Sequence, residues 1–188
     1  MGLVSGGLNG RRFRITTDLP PNFRDTWLAA VREHAFEPAP DASDKEPRFG
    51  WVDIFEPANT AFELNTFLYD RFVCLALRTD KKSVNGRYLK IALAERIVQV
   101  MEMRGVEKLT KDEKAEVQEM LEAELHKRAL PSVATTDVVW DIHSGEVVVF
   151  GTSDTIIERI GEHFESTFDV RLRPERMCDW VAEKYEWA

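Results

Sequence analysis

The sequence predicts an α+β fold: an antiparallel-rich sheet with helices on one face and a projecting helical-hairpin arm. Three observations predict it. Segments of β-branched and aromatic residues recur at 11–17, 67–77 and 138–150. Apolar stripes with helical spacing occupy 23–35, 86–130 and 154–166. No unit repeats at a period of about 20–50 residues, which sets aside solenoids and propellers. With 188 residues, 44% of them hydrophobic and 10% aromatic, the chain can bury one substantial core. The expected organisation is a disordered N-terminus over 1–10 and a single domain over 11–188, with the arm 86–130 inserted in it.

Arg11 to Thr17 reads as the first strand, with Arg12 and Arg14 on one face and Phe13 and Ile15 on the other. After Pro20-Pro21, the residues Phe23, Trp27 and Val31 recur at i, i+4 and i+8, predicting a helix that ends near Ala35. Pro38, Pro40 and the charged stretch 41–47 form a loop, and Phe49-Gly50-Trp51-Val52 begins an extended segment. Phe67 to Leu77, interrupted at Asp70-Arg71, predicts a hairpin. Its second strand is apolar on both faces and therefore central in the sheet.

From Gly86 to Leu130 the pattern becomes helical. Leu89, Leu93, Ile97 and Met101 mark one stripe, and Val117, Leu121 and Leu125 another. Gly105 can take the left-handed position that ends a helix in a Schellman turn, with Val106 after it. Thr110 and Glu113 have the spacing of a capping box, in which hydroxyl and carboxylate each satisfy a free backbone N–H. A second hairpin follows, with strands 138–142 and 146–150 joined through His143-Ser144-Gly145. A helix at 154–166 turns Ile156, Ile157, Ile160 and Phe164 toward the core. The strand Asp169 to Leu172 and a last helix with Pro174 in its first turn complete the order.

Catalytic chemistry finds no support in this pattern. There is no glycine-rich phosphate loop, no G-x-S-x-G and no H-E-x-x-H, and Cys and His never approach zinc-site spacing. Glu122 and His126 share a helix face, which fits a helix-stabilising pair better than a metal site. The carboxylates at 113, 116, 119, 122 and 124 fit a solvated acidic face. No catalytic residue, metal or cofactor is expected. Cys74 lies in an apolar run and reads as a buried thiol; a disulfide to Cys178 stays open. Residues 1–10 contain neither a secretory apolar segment nor a membrane span, and Gly6 stands where a myristoylation signal needs Ser or Thr. A cytoplasmic protein is expected.

The net charge of −8 is unevenly spread: residues 1–95 carry 13 Lys/Arg and 13 Asp/Glu, residues 96–188 carry 12 and 20. Affinity for nucleic acid needs a positive surface, so any DNA site must be local. Arg78, Lys81, Lys82, Arg87 and Lys90 supply five positive charges against Asp80 where the central strand passes into the arm. They could grip phosphates, with Asn85 and Ser83 adding neutral hydrogen bonds. They could equally be a solvated surface, and the same alternative holds for Arg11, Arg12 and Arg14.

Several blocks in sequence order resemble one family. Ala35-Phe36-Glu37-Pro38 and Gly50-Trp51-Val52 are similar to the Ala-Phe-x-Pro and Gly-Trp-Val of the RdgC proteins. Arg78-x-x-Lys81, Leu89-Lys90-x-x-Leu93-x-x-Arg96 and Lys108-Leu109-Thr110-Lys111-x-Glu113-Lys114 resemble that family's passage into its helical tip. Arg128-Ala129-Leu130 resembles its Arg-Ala-Phe, and Trp140-Asp141-x-x-x-Gly145 with Val147-Val148-Val149 and Ser153 its last hairpin. The resemblance spans residues 11 to 175.

The resemblance implies a non-enzymatic binder of double-stranded DNA, indifferent to sequence, nucleoid-associated and linked to control of recombination. It implies homodimers that close a ring with positive charge turned inward. On the clustering of charge, the expected DNA contacts are Arg78, Lys81, Lys82, Arg87 and Lys90, with Lys127 and Arg128 as weaker candidates, and the resemblance makes Leu130 the oligomer contact. Asn85 stands where the family has Pro, and Leu130 replaces an aromatic. The chain ends at Ala188, short of the family's further C-terminal part, so an open dimer joined through the arms is as much expected as a ring. The alternative is a protein-interaction module of a recombination or phage-related system that no longer encircles DNA.

Overall fold

A computed structural model describes Leu3, residues 9–17, Leu19, and residues 21–38 and 46–175. Its elements in chain order are β1 (Arg11–Ile15), α1 (Phe23–Glu33), β2 (Arg48–Val52), α2 (Leu64–Phe67), β3 (Leu68–Tyr69), β4 (Phe72–Lys81), α3 (Gly86–Arg104), α4 (Lys111–Arg128), β5 (Ser132–Asp141), β6 (Glu146–Val149), α5 (Asp154–Phe168) and β7 (Leu172–Pro174). The α+β class read from the sequence is the class observed. The chain forms two compact units, one of Met1–Glu37, Phe49–Thr79 and Ala134–Ala188, the other of Pro38–Arg48 and Asp80–Val133.

The first unit is built on a sheet in the order β2-β4-β5-β6-β1-β7, with β3 beside β4. The β1–β6, β1–β7, β3–β4 and β5–β6 pairs are antiparallel. β4 alternates Val73, Leu75 and Leu77 into one core with Cys74 and Ala76 into another, so it is buried on both faces as its apolar run predicts. On the larger core face, Trp27 and Val31 of α1 meet Ile157, Ile160, Phe164 and Phe168 of α5. Trp140 lies fully buried among them, with ring centroids 4.6 Å from Trp27 and 5.5 Å from Phe164. The Trp51 indole N–H donates to Thr167 Oγ1 at 2.9 Å, which lets an aromatic with a polar edge sit at zero exposure.

Gly50 marks a close backbone crossing. Behind α1 the chain pairs with β2: Phe36 N–H donates to Trp51 O at 2.9 Å and Trp51 N–H to His34 O at 3.0 Å. A Cβ on Gly50 would lie 2.6 Å from Phe36 Cα, so no larger residue fits. His163 of α5 packs beside this crossing, 4.9 Å from the Trp51 ring and 5.4 Å from those of His34 and Phe49. Burial pushes its pKa down to about 4, with the His34 backbone hydrogen bond opposing.

The second unit contains α3 and α4. Arg104 meets Glu113 and Arg96 meets Glu124, each at 2.9 Å, so the helices run antiparallel. Gly105 ends α3 at φ 66°, its N–H donating to Glu102 O and that of Val106 to Met101 O, the two bonds of a Schellman turn. Thr110 and Glu113 form the predicted capping box. The Thr110 backbone and hydroxyl groups hold the Glu113 carboxyl below its ordinary range. α3 begins with a cap whose residue reads from sequence as something else: Asn85 Oδ1 accepts from Arg87 N–H at 2.9 Å and Tyr88 N–H at 3.2 Å.

Four local expectations differ from the structure. The last described strand is β7, not 169–172, because Asp169 takes φ 53° to end α5 and Val170 turns into the core. Pro174 closes β7 opposite Phe13 instead of opening a helix; β7 is an edge strand, where a missing N–H is harmless. The single turn α2 carries no helical stripe to read and is held by Glu63 and Thr66. β5 starts at Ser132, six residues before the predicted strand, over a stretch that buries little. The frayed N-terminus (apart from Leu3 and residues 9–10), most of the loop 38–47, Cys178, the last helix and the segment Trp180 to Trp187 lie outside the described residues. Cys74 is a free buried thiol, its pKa pushed up to about 11 by burial and by Asp137.

Candidate nucleic-acid interface

Whether a basic cluster is a site depends on what already neutralises it. Arg11 pairs with Asp154, Arg12 with Glu146 at 2.5 Å and Arg14 with Glu175 at 2.6 Å. The alternation predicted for β1 is observed, with Phe13 buried and Arg12 exposed. These arginines are committed to carboxylates across the neighbouring strands and the start of α5, and the phosphate alternative weakens there. Arg96 and Arg104 are likewise occupied by Glu124 and Glu113.

The segment from the end of β4 into α3 is different. Lys81, Arg87 and Lys90 are exposed, and among the described residues no carboxylate lies within salt-bridge distance of any of them. The placement of Arg87 also opposes helix energetics. The N-terminus of a helix carries partial positive charge and favours acidic residues. α4 obeys this, with Asp112 and Glu113 in its first turn and His126, Lys127 and Arg128 in its last. α3 has no acidic residue in its first turn and places Arg87 there instead. The dipole accounts for Lys127 and Arg128; it does not account for Arg87.

The other predicted contacts divide. Arg78 is half-buried, its guanidinium 4.4 Å from the centre of the Phe36 ring and its Nη1 donating to Pro57 O at 3.4 Å. It belongs to the first unit, and these contacts give it a packing role. Lys82 is half-buried, and Ser83 is exposed. Asn85 directs its oxygen to the α3 cap, a helix-starting role that uses its acceptor and not the amide N–H donors that a neutral phosphate contact needs. Antiparallel pairing sets Lys127 and Arg128 at the end of the helix pair that carries Arg87 and Lys90. Arg128 bonds Glu124 at 3.0 Å and keeps 75% of its side-chain surface exposed. Leu130, just beyond, is 89% exposed.

Glu122 accepts from Gln118 at 2.8 Å, and among the described residues no three of His, Cys, Asp and Glu come together to hold a metal ion. No helix among the described residues is long and apolar enough to cross a membrane.

Fold and surface thus define an α+β protein that pairs several of its arginines with carboxylates and leaves a short run of cations open at the start of one helix. The family model described as "Putative exonuclease, RdgC" matches residues 9–184, and the chain belongs to the RdgC family. The resemblance read from the separate sequence blocks is thereby borne out. No curated protein matches the chain.

Proposed function

We propose that the protein binds double-stranded DNA through phosphate contacts, without reading bases, in the control of recombination at the nucleoid. The observation that carries this reading is the set of exposed cations Lys81, Arg87 and Lys90, which have no acidic partner among the described residues, with Arg87 in a first helical turn where the dipole disfavours positive charge. Lys127, Arg128 and Lys82 extend the same basic end. Membership in the RdgC family supports the association with DNA. The net charge of −8 is compatible with a local site, because counterion release depends on the cations that meet phosphates and not on the sum over the chain. On this reading the protein is a binder rather than an enzyme, acts in the cytoplasm and works as a homo-oligomer with Leu130 at a contact.

A random-sequence duplex titrated with salt tests the proposal. Replacing Lys81 and Lys90 by Glu lowers affinity equally for all sequences and reduces the salt slope by about one for each phosphate no longer neutralised. An unchanged slope removes these residues from the interface. Degradation of an end-labelled duplex by the pure protein with magnesium would replace the binder by the exonuclease of the family's description.

A second reading rests on the apolar side chains exposed on the helix pair, Leu130 at 89% and Met120 at 74%. In it the protein docks on a recombination or phage-related protein. Stable capture of such a protein by nuclease-treated material that fails to bind duplex would favour it.

A further inference from the structure

His34 caps the end of α1 with nearly all its polar groups engaged. Its backbone N–H and its ring Nδ1 both lie 3.0 Å from Ala30 O. Its carbonyl accepts from Trp51 N–H at 3.0 Å and lies 3.2 Å from His163 Nε2. A carbonyl oxygen only accepts, so the contact to Ala30 places the ring proton on Nδ1 and leaves Nε2 of the neutral imidazole a bare acceptor. That nitrogen lies 3.2 Å from Ser166 Oγ, and the hydroxyl therefore donates to it. Both residues belong to the first unit.

Ser166 departs from what a serine inside a helix does by default. Such a hydroxyl bonds a carbonyl of the preceding turn. The next residue does so, Thr167 Oγ1 donating to His163 O at 2.6 Å. The Ser166 hydroxyl has one partner among the described residues, the His34 ring. Packing does not ask for this bond, because Ser166 is exposed and the helices meet through Trp27, Val31, Phe164 and Phe168. The two residues are 132 positions apart, so no sequence motif announces them.

We infer that Ser166 is a nucleophile with His34 as its general base, and that it takes an acyl group from an activated ester. A base within hydrogen-bond reach of a hydroxyl, itself oriented by a third group, is the arrangement that activates a serine. Here Ala30 O is the orienting group. Ser166 Oγ forms a bond to the ester carbonyl carbon while its proton passes to His34 Nε2. The bond from that carbon to the leaving oxygen then breaks, and the departing alcohol takes the proton from Nε2. One ester is exchanged for another, with no oxidant or reductant. Phe49 stands edge-on to the His163 ring at 5.4 Å and is 41% exposed, a surface on which an aromatic leaving group can stack. The preferred donor is therefore an ester of an aromatic alcohol. The step ends on the acyl-serine, one group per chain, and does not depend on the DNA reading.

Brief exposure of the full chain, without DNA, to p-nitrophenyl acetate tests this, with acetylation followed residue by residue by peptide mass spectrometry. Ser83 and Ser153, both exposed, serve as internal references. Ser166 should acetylate about 100-fold faster than either, the lower end of what a positioned general base contributes. His34→Asn keeps an amide donor for Ala30 O and removes Nε2, so Ser166 should fall to the rate of the references while far-ultraviolet circular dichroism shows the helices intact. Nitrogen-15 spectra of the unaltered protein should place the His34 ring proton on Nδ1, a readout that holds even if the variant fails to fold. Acetylation of Ser166 at the reference rate, an equal rate in folded His34→Asn, or a ring proton on Nε2 would each overturn the inference. None of these outcomes bears on duplex binding, which is measured separately.

Discussion

Asn85 shows how one residue can belong to two accounts until its partners are known. Standing beside Lys81, Lys82 and Arg87, it reads from sequence as a neutral contact to phosphate; its oxygen accepts the N–H groups of Arg87 and Tyr88, a second role that leaves its amide donors to the first. Asn85→Ala should therefore destabilise the protein by about 1 kcal/mol, a typical loss for a helix cap, measured by denaturant unfolding. His163 gives a prediction in pH. Its folded pKa is lowered to about 4 by burial, whereas an unfolded histidine titrates near 6.5. Above about pH 6.5 both states are neutral and the group adds no pH dependence. As pH falls from there to about 4 the unfolded state binds the proton first, so stability declines across that window and levels off below it. His163→Gln should flatten the decline between pH 7 and pH 5 in denaturant midpoints; an equal decline in both proteins would show that other groups cause it. Gly50→Ala should be more damaging than either, because its Cβ would meet backbone atoms of Phe36 that cannot move aside.

Among the elements, legibility followed burial and termination chemistry. β4 and α5 were readable because one is apolar on both faces and the other carries Ile157, Ile160 and Phe164 at helical spacing. α3 and α4 were readable from their ends as much as their stripes, through Gly105 and the Thr110–Glu113 box. β7 was misplaced because the left-handed conformation of Asp169 is a choice of tertiary context, and α2 was missed because one turn has no period. The ion pairing of Arg11, Arg12 and Arg14 was invisible because Glu146, Asp154 and Glu175 are remote in sequence and meet β1 only through the fold. At this scale α3 carries a specific expectation. If Arg87 stands in the first turn for a ligand and against the dipole, Arg87→Glu should stabilise the helix by about 0.3–1 kcal/mol while weakening duplex binding. That opposition, read at a concentration where the protein is monomeric, separates a binding residue from a structural one; a loss of both stability and binding would assign Arg87 a structural role.

For the whole molecule, charge and function have to be reconciled. The chain is acidic overall, yet its excess carboxylates are spent partly on arginines that would otherwise compete as phosphate sites. Among the cations that no carboxylate neutralises in the described residues is a local run at the start of α3 and the adjoining end of α4. Sequence showed where the cations lie along the chain, the local run at 78–90 among them, but not which of them are neutralised by carboxylates remote in sequence. The measurement that tests the central claim most directly is binding of nuclease-treated protein to a fluorescent random-sequence duplex across a salt series, with the Lys81→Glu, Lys90→Glu variant alongside. The account predicts binding that falls steeply with salt, ignores sequence, and has a slope shallower by about two in the variant. Absence of binding at low salt by the folded protein, or a variant slope equal to that of the unaltered chain, would contradict it.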